Sequence, residues 1–184
     1  MQLSLKQVRY NYPFRIRRNT VPFDGLLRCY ERGDYKLDFD VYLPTKGFNL
    51  QRDFVWTVLQ KQEFILSLLK ENPIPKISLI QKKTKQSGIE ETIYQVIDGK
   101  QRLSTYLEFG KNEFHIIVDN KPFFYKDLDE LAKYFYDTYS FYGDLAYEYD
   151  DAPITDDEKI KWFIQVNFAG TPQDKEHFDK LNNI

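Results

Sequence analysis

The sequence predicts an α+β fold in which helices surround a small mixed sheet. Segments such as YKLDFDVYL alternate apolar and polar side chains with the period of a half-buried strand, whereas segments such as FILSLLKEN place apolar side chains on one stripe of a helix. Strands and helices follow one another without a regular βαβ repeat. This order favours an α+β fold over a parallel sheet with alternating helices.

The start of the chain predicts an arm, a helix and a strand. Residues 1–20 are basic and show no clean period, which is typical of an arm or an irregular lead-in segment. Residues 21–32 have a helical composition after a proline suited to a first turn, and Gly33 is placed to end that helix. The alternation in YKLDFDVYL then predicts a half-buried strand.

A capping box marks the clearest helix of the sequence. Thr57 and Gln60 have the required spacing, and Asn72-Pro73 ends the helix. After it, KISLIQ and TIYQVI predict two strands, and the polar loop KKTKQSGIEE between them indicates an antiparallel hairpin. The predicted buried stripe of the helix consists of Phe64, Ile65, Leu68 and Leu69.

The second half of the chain continues the mixture of helices and strands. KQRLSTYLEF predicts a short helix that ends at Gly110, EFHIIV a strand, DLDELAKYFYD a helix and SFYGDLAYEY an extended segment. Thr155 and Glu158 form a second capping box before KIKWFIQV, and QDKEHFDKLN predicts a last short helix after the break NFAGTP. The buried stripe of KIKWFIQV consists of Ile160, Phe163 and Ile164.

The composition predicts one intracellular domain. The 184 residues contain no Ser/Gly linker, so we expect a single domain over residues 21–184 after a basic N-terminal arm, residues 1–20. The lone Cys29 cannot form an internal disulfide, which fits a reducing compartment. No apolar run approaches the ~20 residues of a membrane span and no signal peptide is evident, so we expect a soluble, cytoplasmic protein without a membrane partner.

The stretch VIDGKQRL, in which a strand passes into a helix through an Asp-Gly turn, is the main candidate site. The N–H groups of Lys100, Gln101 and Arg102 converge there, and the helix dipole, about half a positive charge, favours an anion. Gly99 permits close backbone approach to a ligand, and Asp98 either caps the helix or holds a divalent cation. The alternative is a plain turn whose cationic side chains are only solvated.

Three motifs resemble the N-terminal domain of the GmrSD-type modification-dependent restriction enzymes. The stretch LQRDFVWTVLQKQEFILSLLKENPIPKI contains the family's QR-x-(Y/F)-x-W element and its PIP turn. YQVIDGKQRLSTYLEF contains the DG(Q/K)QR signature, and WFIQVNFAGTPQDKEHF contains an (R/Q)-x-N-x-x-G-x-P element. The three occur in the family's order and cover roughly residues 42–180.

The resemblance implies a ParB/sulfiredoxin-like fold, in which the strand-to-helix turn grips nucleotide phosphates, together with NTP binding and hydrolysis. It implies that Asp98, Gly99, Lys100, Gln101 and Arg102 form a phosphate loop. A Mg²⁺ ion would accompany the NTP, with Asp98 as its protein ligand. The candidates for catalysis are Asp98, Gln101 and Arg102, and either Asp98 or Gln101 would orient the attacking water.

The other two motifs supply further candidates for phosphate binding. Gln51 and Arg52 match the QR element, which would place a second arginine near the phosphates. Asn167, Gly170 and Thr171 match the late element and are expected to pack beside the site. All five are therefore predicted members of the nucleotide site.

One feature of the family has no counterpart in the sequence. GmrSD-type enzymes carry a His-rich, HNH-like nuclease motif, whereas this sequence contains only His115 and His177. His115 fits the strand EFHIIV and His177 the polar terminal helix, so cleavage of DNA by an HNH mechanism is not expected.

Three functions therefore remain open from the sequence. The first is an NTP-binding domain with slow, Mg²⁺-dependent NTPase activity in a restriction, anti-restriction or phage-defence system. The second is a non-enzymatic module that binds DNA, a separate nuclease subunit or a restriction enzyme, with phosphate contacts from the basic first segment. The third is a nickase that holds a DNA phosphate in the same loop, with a metal on Asp98.

Overall fold

A five-stranded mixed sheet forms the centre of the protein in a computed structural model that describes residues 17–23, 25–86, 89–148 and 153–168. The strands lie in the order β1-β9-β5-β6-β2, where β1 pairs antiparallel with β9, β9 parallel with β5, β5 antiparallel with β6, and β6 parallel with β2. The predicted α+β class with a small mixed sheet is confirmed. The strands of this sheet are β1 Arg17–Phe23, β2 Lys36–Asp38, β5 Ile77–Gln86, β6 Ile89–Asp98 and β9 Phe141–Glu148.

Five α-helices, two small hairpins and a short 3-10 helix, Tyr125–Asp127, complete the described part of the chain. The helices are α1 Leu26–Glu31, α2 Val58–Leu69, α3 Lys100–Gly110, α4 Glu130–Asp137 and α5 Asp156–Phe168. The hairpins consist of β3 Tyr42–Leu43 with β4 Phe48–Asn49, and β7 Ile116–Val118 with β8 Lys121–Phe123. None of these helices combines the length and the apolar character that a bilayer crossing requires.

Apolar side chains cover both faces of the sheet because successive residues of a strand point to opposite sides. Leu79 of β5 faces a core shared with α2, α3 and α4, whereas the next residue, Ile80, faces a second core shared with α5 and the β3–β4 hairpin. Val96 and Ile97 of β6 divide between the same two cores. The sheet is therefore the middle of three layers.

Local sequence signals placed most elements correctly. The capping box at Thr57 and Gln60 is present, with the Gln60 N–H donating to Thr57 Oγ1 at 3.3 Å, and so is the box at Thr155 and Glu158. The hairpin is antiparallel as predicted, although its strands continue through most of the segment predicted as a loop. Residues beyond 168, including the predicted last helix and His177, lie outside the described part of the chain.

Two predictions near the N-terminus are wrong. Residues 17–20 belong to strand β1 rather than to an arm, and the helix predicted from Val21 begins only at Leu26. Strand β1 forms by pairing with β9, more than a hundred residues later, so no local pattern reveals it. The strand predicted over YKLDFDVYL is divided into β2 and β3, because Val41 has a φ of 51° that interrupts it.

Two tyrosines lock α3 to α4 in the larger core. The rings of Tyr106 and Tyr136 stack with centroids 4.3 Å apart, and each hydroxyl donates to the other residue's backbone carbonyl, at 2.6 Å from Tyr106. Burial raises the pKa of both hydroxyls, so both remain neutral donors at physiological pH. This pair fixes the helix whose first turn forms the candidate site.

Tyr106→Phe should lower the free energy of unfolding by about 0.5–1.5 kcal/mol, because the buried Tyr136 carbonyl loses its hydroxyl donor and keeps the N–H of Tyr139. Urea denaturation measures the loss. The matched control is Tyr134→Phe, whose side chain in α4 is 66% exposed and which should change stability by less than about 0.5 kcal/mol. Equal losses in the two variants would contradict a structural role for the reciprocal pair.

Candidate functional site

The turn between β6 and α3 lines a cavity of about 440 Å³. This volume lies within the range of about 300–1,000 Å³ that is usual for small-molecule sites. One end of the cavity is polar and cationic, since Arg52, Lys100 and Arg102 contribute to it and Asp98 is the carboxylate among the lining side chains. Apolar side chains also line the cavity, namely Trp56 and Phe64 from the larger core and Phe163 and Val166 from the second core.

The first turn of α3 meets this cavity without a side-chain cap. Gly99 is the N-cap, and its carbonyl accepts the first helical bond from the Leu103 N–H at 2.9 Å. No protein acceptor for the N–H groups of Lys100, Gln101 and Arg102 is found among the described residues. The helices α2, α4 and α5, by contrast, are capped by side chains at their first turns. The predicted convergence of donors therefore has structural support, whereas Asp98 does not cap the helix.

Gly99 is required by the packing of the turn. Its φ is +107°, a conformation that other L-residues rarely adopt, and a Cβ placed there would lie 2.6 Å from Ile77 Cγ2. Ile77 begins β5 and is fully buried. The close approach of the Gly99 backbone to Ile77 thus explains why this position requires glycine, in addition to any approach to a ligand.

The guanidinium of Arg102 is hydrogen-bonded to protein groups around the turn. Its Nη1 donates to the carbonyl oxygens of Pro75 and, at 3.1 Å, Lys76, while its Nη2 donates to Asp98 Oδ2 at 2.8 Å. The side chain is only 12% exposed. In this conformation the guanidinium holds the segment before β5 against the turn, so it does not present the free donors that a side chain of the predicted phosphate loop would offer.

Gln101 holds the segment that follows Arg52. Its Oε1 accepts from the N–H groups of Val55 and Trp56 at 3.0 and 3.1 Å, and its Nε2 donates to the Asp53 carbonyl at 3.3 Å. Both ends of the amide are occupied by backbone groups. Gln101 is therefore placed to position this segment, and it is poorly placed to orient a water molecule.

Gln51 fixes the other side of Arg52. Its Nε2 donates to the carbonyl oxygens of Val96 and Ile97 at 2.7 and 2.8 Å, which ties the chain to the end of β6. The predicted pair Gln51–Arg52 is thus brought to the turn, as expected, but the two side chains differ in their situation. The Gln51 amide is hydrogen-bonded to backbone carbonyl oxygens, whereas the half-buried Arg52 lines the cavity and also interacts with the protein.

The remaining predicted residues divide into three groups. Lys100 lines the cavity and forms an ion pair with Asp40, Nζ to Oδ1, at 2.9 Å. Asn167 also lines the cavity, and its Nδ2 donates to the Phe163 carbonyl of the preceding helical turn at 2.9 Å. Gly170 and Thr171 lie outside the described residues, so their predicted position beside the site stays a prediction.

The donor set suits a Mg²⁺ ion that arrives with phosphates rather than one held by protein alone. The described residues contain no cluster of three or more His, Cys, Asp or Glu side chains that could enclose a metal. Asp98 directs Oδ2 to Arg102, which leaves Oδ1 as the oxygen for a cation. Magnesium commonly uses one or two carboxylates together with substrate phosphates, and Asp98 fits that pattern.

Sequence reasoning missed the apolar wall of the site. Trp56 lies inside the stretch QRDFVW, where it completes the QR-x-(Y/F)-x-W element, and that motif was the available signal. Phe163 and Val166 were assigned to a buried helix stripe or left unassigned, although they also border the cavity. Asp40 gave no local signal, because its contact with Lys100 spans 60 residues.

Gly99→Ala should lower the free energy of unfolding by roughly 2–4 kcal/mol, because strain at positive φ adds to the clash with Ile77. Gly47→Ala is the matched control, since Gly47 has a φ of +76° with open space around its missing Cβ. That control should lose only about 1–2 kcal/mol. Thermal and urea denaturation would refute the packing argument if the two variants were equally destabilised.

A comparison with protein families agrees with the motifs of the site. Residues 44–184 match the family described as GmrSD restriction endonuclease, N-terminal domain. This match includes the segment around Arg52, the turn at Gly99 and helix α5. Comparisons with curated proteins and with solved structures gave no match, so the ParB/sulfiredoxin-like assignment stays a prediction. Because the match covers most of its length, the chain belongs to the family of GmrSD restriction endonuclease N-terminal domains.

Proposed function

We propose that this domain binds a nucleoside triphosphate with Mg²⁺ in the cavity at the first turn of α3 and hydrolyses it slowly. The observation that carries the proposal is the uncapped N-terminus of α3, which meets a cavity lined by Arg52, Lys100 and Arg102. Backbone donors and the helix dipole both favour a polyanion at such a place. The family membership supports a role in DNA restriction or phage defence.

Two cations are placed to bind the phosphates directly. Arg52 offers five N–H donors, so its guanidinium can contact a phosphate and keep a protein partner. Lys100 is paired with Asp40, whose side chain is 64% exposed, and a triphosphate with several charged oxygens competes well for that ammonium group. Arg102 would not contact the phosphates directly, because its donors bind Pro75, Lys76 and Asp98. Its positive charge at the turn would still attract them electrostatically.

Asp98 is the residue that would hold the metal. The bound Mg²⁺ would neutralise charge that develops on the phosphate oxygens. The Arg102 guanidinium fixes the Asp98 carboxylate by binding Oδ2, so the orientation of Oδ1 is set before any ligand arrives. This arrangement is the reason we assign the metal to Asp98.

Hydrolysis requires a water molecule to attack the terminal phosphorus while the bond from that phosphorus to the bridging oxygen breaks. The products are a nucleoside diphosphate and inorganic phosphate, and the proton lost by water passes to the phosphate or to solvent. Gln101 does not serve as the orienting group, because backbone atoms occupy both ends of its amide. Of the two candidates from the sequence we retain Asp98, which would act on the water through the Mg²⁺ ion that it would hold.

Arg52→Ala should weaken binding of a non-hydrolysable NTP analogue with Mg²⁺ by about tenfold or more, because a charge-assisted contact with phosphate is lost. Isothermal titration calorimetry measures the affinity, and phosphate release from NTP measures turnover. Arg32→Ala is the matched control, since Arg32 is exposed, does not line the cavity and pairs with Asp34. An unchanged dissociation constant in Arg52→Ala would refute the assigned site.

Gln101→Leu should weaken the same binding by about tenfold in the wild-type background but by less than about twofold in Arg52→Ala. The reason is that Gln101 acts through the backbone that carries Arg52, so its contribution disappears with that arginine. A double-mutant cycle measured by calorimetry gives the coupling directly. If the two losses of affinity multiply in the double variant, as those of independent contacts do, the positioning role of Gln101 is contradicted. Circular dichroism of each variant checks that the fold is retained.

A further inference from the structure

Asp40 places a carboxylate beside the proposed phosphate site, where it pairs with Lys100. The Lys100 Nζ lies 2.9 Å from Asp40 Oδ1, and the two side chains differ in exposure, with Lys100 11% exposed and Asp40 64% exposed. The ammonium group is thus mostly enclosed by protein, whereas the carboxylate stays largely in contact with solvent. Asp40 can therefore leave the pair without losing its hydration.

The connection between β2 and β3 holds the backbone of Asp40 in place. Asp38 Oδ1 accepts from the N–H groups of Asp40 and Val41 at 3.2 and 2.9 Å. The other oxygen, Asp38 Oδ2, accepts from Gln95 Nε2 in β6 at 3.2 Å. The Asp40 carbonyl accepts from the Gln51 N–H at 3.2 Å. All the bonds to Asp40 in this group use its backbone, so its position is kept when the carboxylate releases Lys100.

Lys100 is the first residue of α3, which is an unfavourable place for a cation. The positive end of the helix dipole lies there, and Arg102 brings a second cation to the same turn. Both raise the free energy of the folded protein unless anions lie nearby. Asp40 supplies the anion for Lys100, as Asp98 does for Arg102. The protein thus carries its own counter-ion for the ammonium group that a phosphate would bind.

We infer that Asp40 is a resident counter-ion that competes with the ligand for Lys100, an inference that rests on the proposed binding of NTP. A tethered carboxylate competes at a high effective concentration. A singly charged ion from solution competes poorly, because it makes one equivalent contact and also loses its translational freedom. A polyphosphate displaces the carboxylate through several charges and through the N–H donors of the turn. Asp40 therefore selects for polyanions and lowers their affinity by the cost of breaking the pair.

The test measures the binding of tripolyphosphate with Mg²⁺ to the full chain by calorimetry. Asp40→Asn should bind it about fivefold more tightly than the wild type, because Lys100 no longer has to leave an ion pair. The matched control is Asp157→Asn, since Asp157 is 68% exposed, pairs with the mostly enclosed Lys46 and does not line the cavity. That control should change the affinity by less than about twofold.

A double-mutant cycle tests whether the competition is for Lys100. In a Lys100→Met background, Asp40→Asn should change the affinity by less than about twofold, because the contested ammonium group is absent. A gain of about fivefold that persists in this background would overturn the inference, since Asp40 would then act only by long-range repulsion of the ligand.

The outcomes separate the two proposals. If neither the wild type nor Asp40→Asn binds tripolyphosphate or an NTP analogue, the phosphate site is wrong and the inference falls with it. If the wild type binds tripolyphosphate and Asp40→Asn binds it equally or more weakly, the inference alone is overturned. Thermal denaturation gives a second readout: ligand-free Asp40→Asn should melt at a lower temperature than the wild type, and saturating tripolyphosphate should raise its melting temperature by more. An equal rise in both proteins would assign Asp40 a structural role only.

Discussion

The candidate site depends on the amide of Gln101, which joins two parts of the chain that are 45 or more residues apart. Its oxygen accepts from Val55 and Trp56 and its nitrogen donates to Asp53, so the segment that carries Arg52 is fastened to the first turn of α3. A glutamine suits this role because one side chain supplies both an acceptor and donors. The segment has little regular structure of its own, and the amide gives it a fixed position.

The two arginines of the site have different physical roles because their surroundings differ. Arg102 is nearly buried and donates to two carbonyl oxygens and to Asp98. These hydrogen bonds join the end of β6, the start of α3 and the segment before β5. Arg52 is half-buried at the cavity wall. Sequence alone treats both as phosphate ligands. In the structure both line the cavity, but Arg102 ties the turn to its neighbours, whereas Arg52 is the arginine that we propose for contact with a ligand.

The sequence predicted what is encoded locally. The capping box at Thr57, the strand-turn-helix at Gly99 and the antiparallel hairpin of β5 and β6 depend on neighbouring residues, and each is found where it was expected. Strand β1 was missed because it exists only through its pairing with β9. The protein partners of Gln101 and Lys100 were missed for the same reason, since they lie 45 to 60 residues away and no local pattern indicates them.

The stability of the fold and the chemistry of the site make opposite demands on the first turn of α3. At α2 and α5, a threonine side chain satisfies a backbone donor and stabilises the helix. At α3, Gly99 provides no such acceptor, so the turn forgoes a side-chain cap that is worth roughly a few tenths of a kcal/mol relative to glycine. The packed tyrosines further along α3 hold the helix despite this loss. A polyanion that accepts hydrogen bonds from the free N–H groups of this turn would stabilise the folded state, as any ligand that binds only the folded protein does.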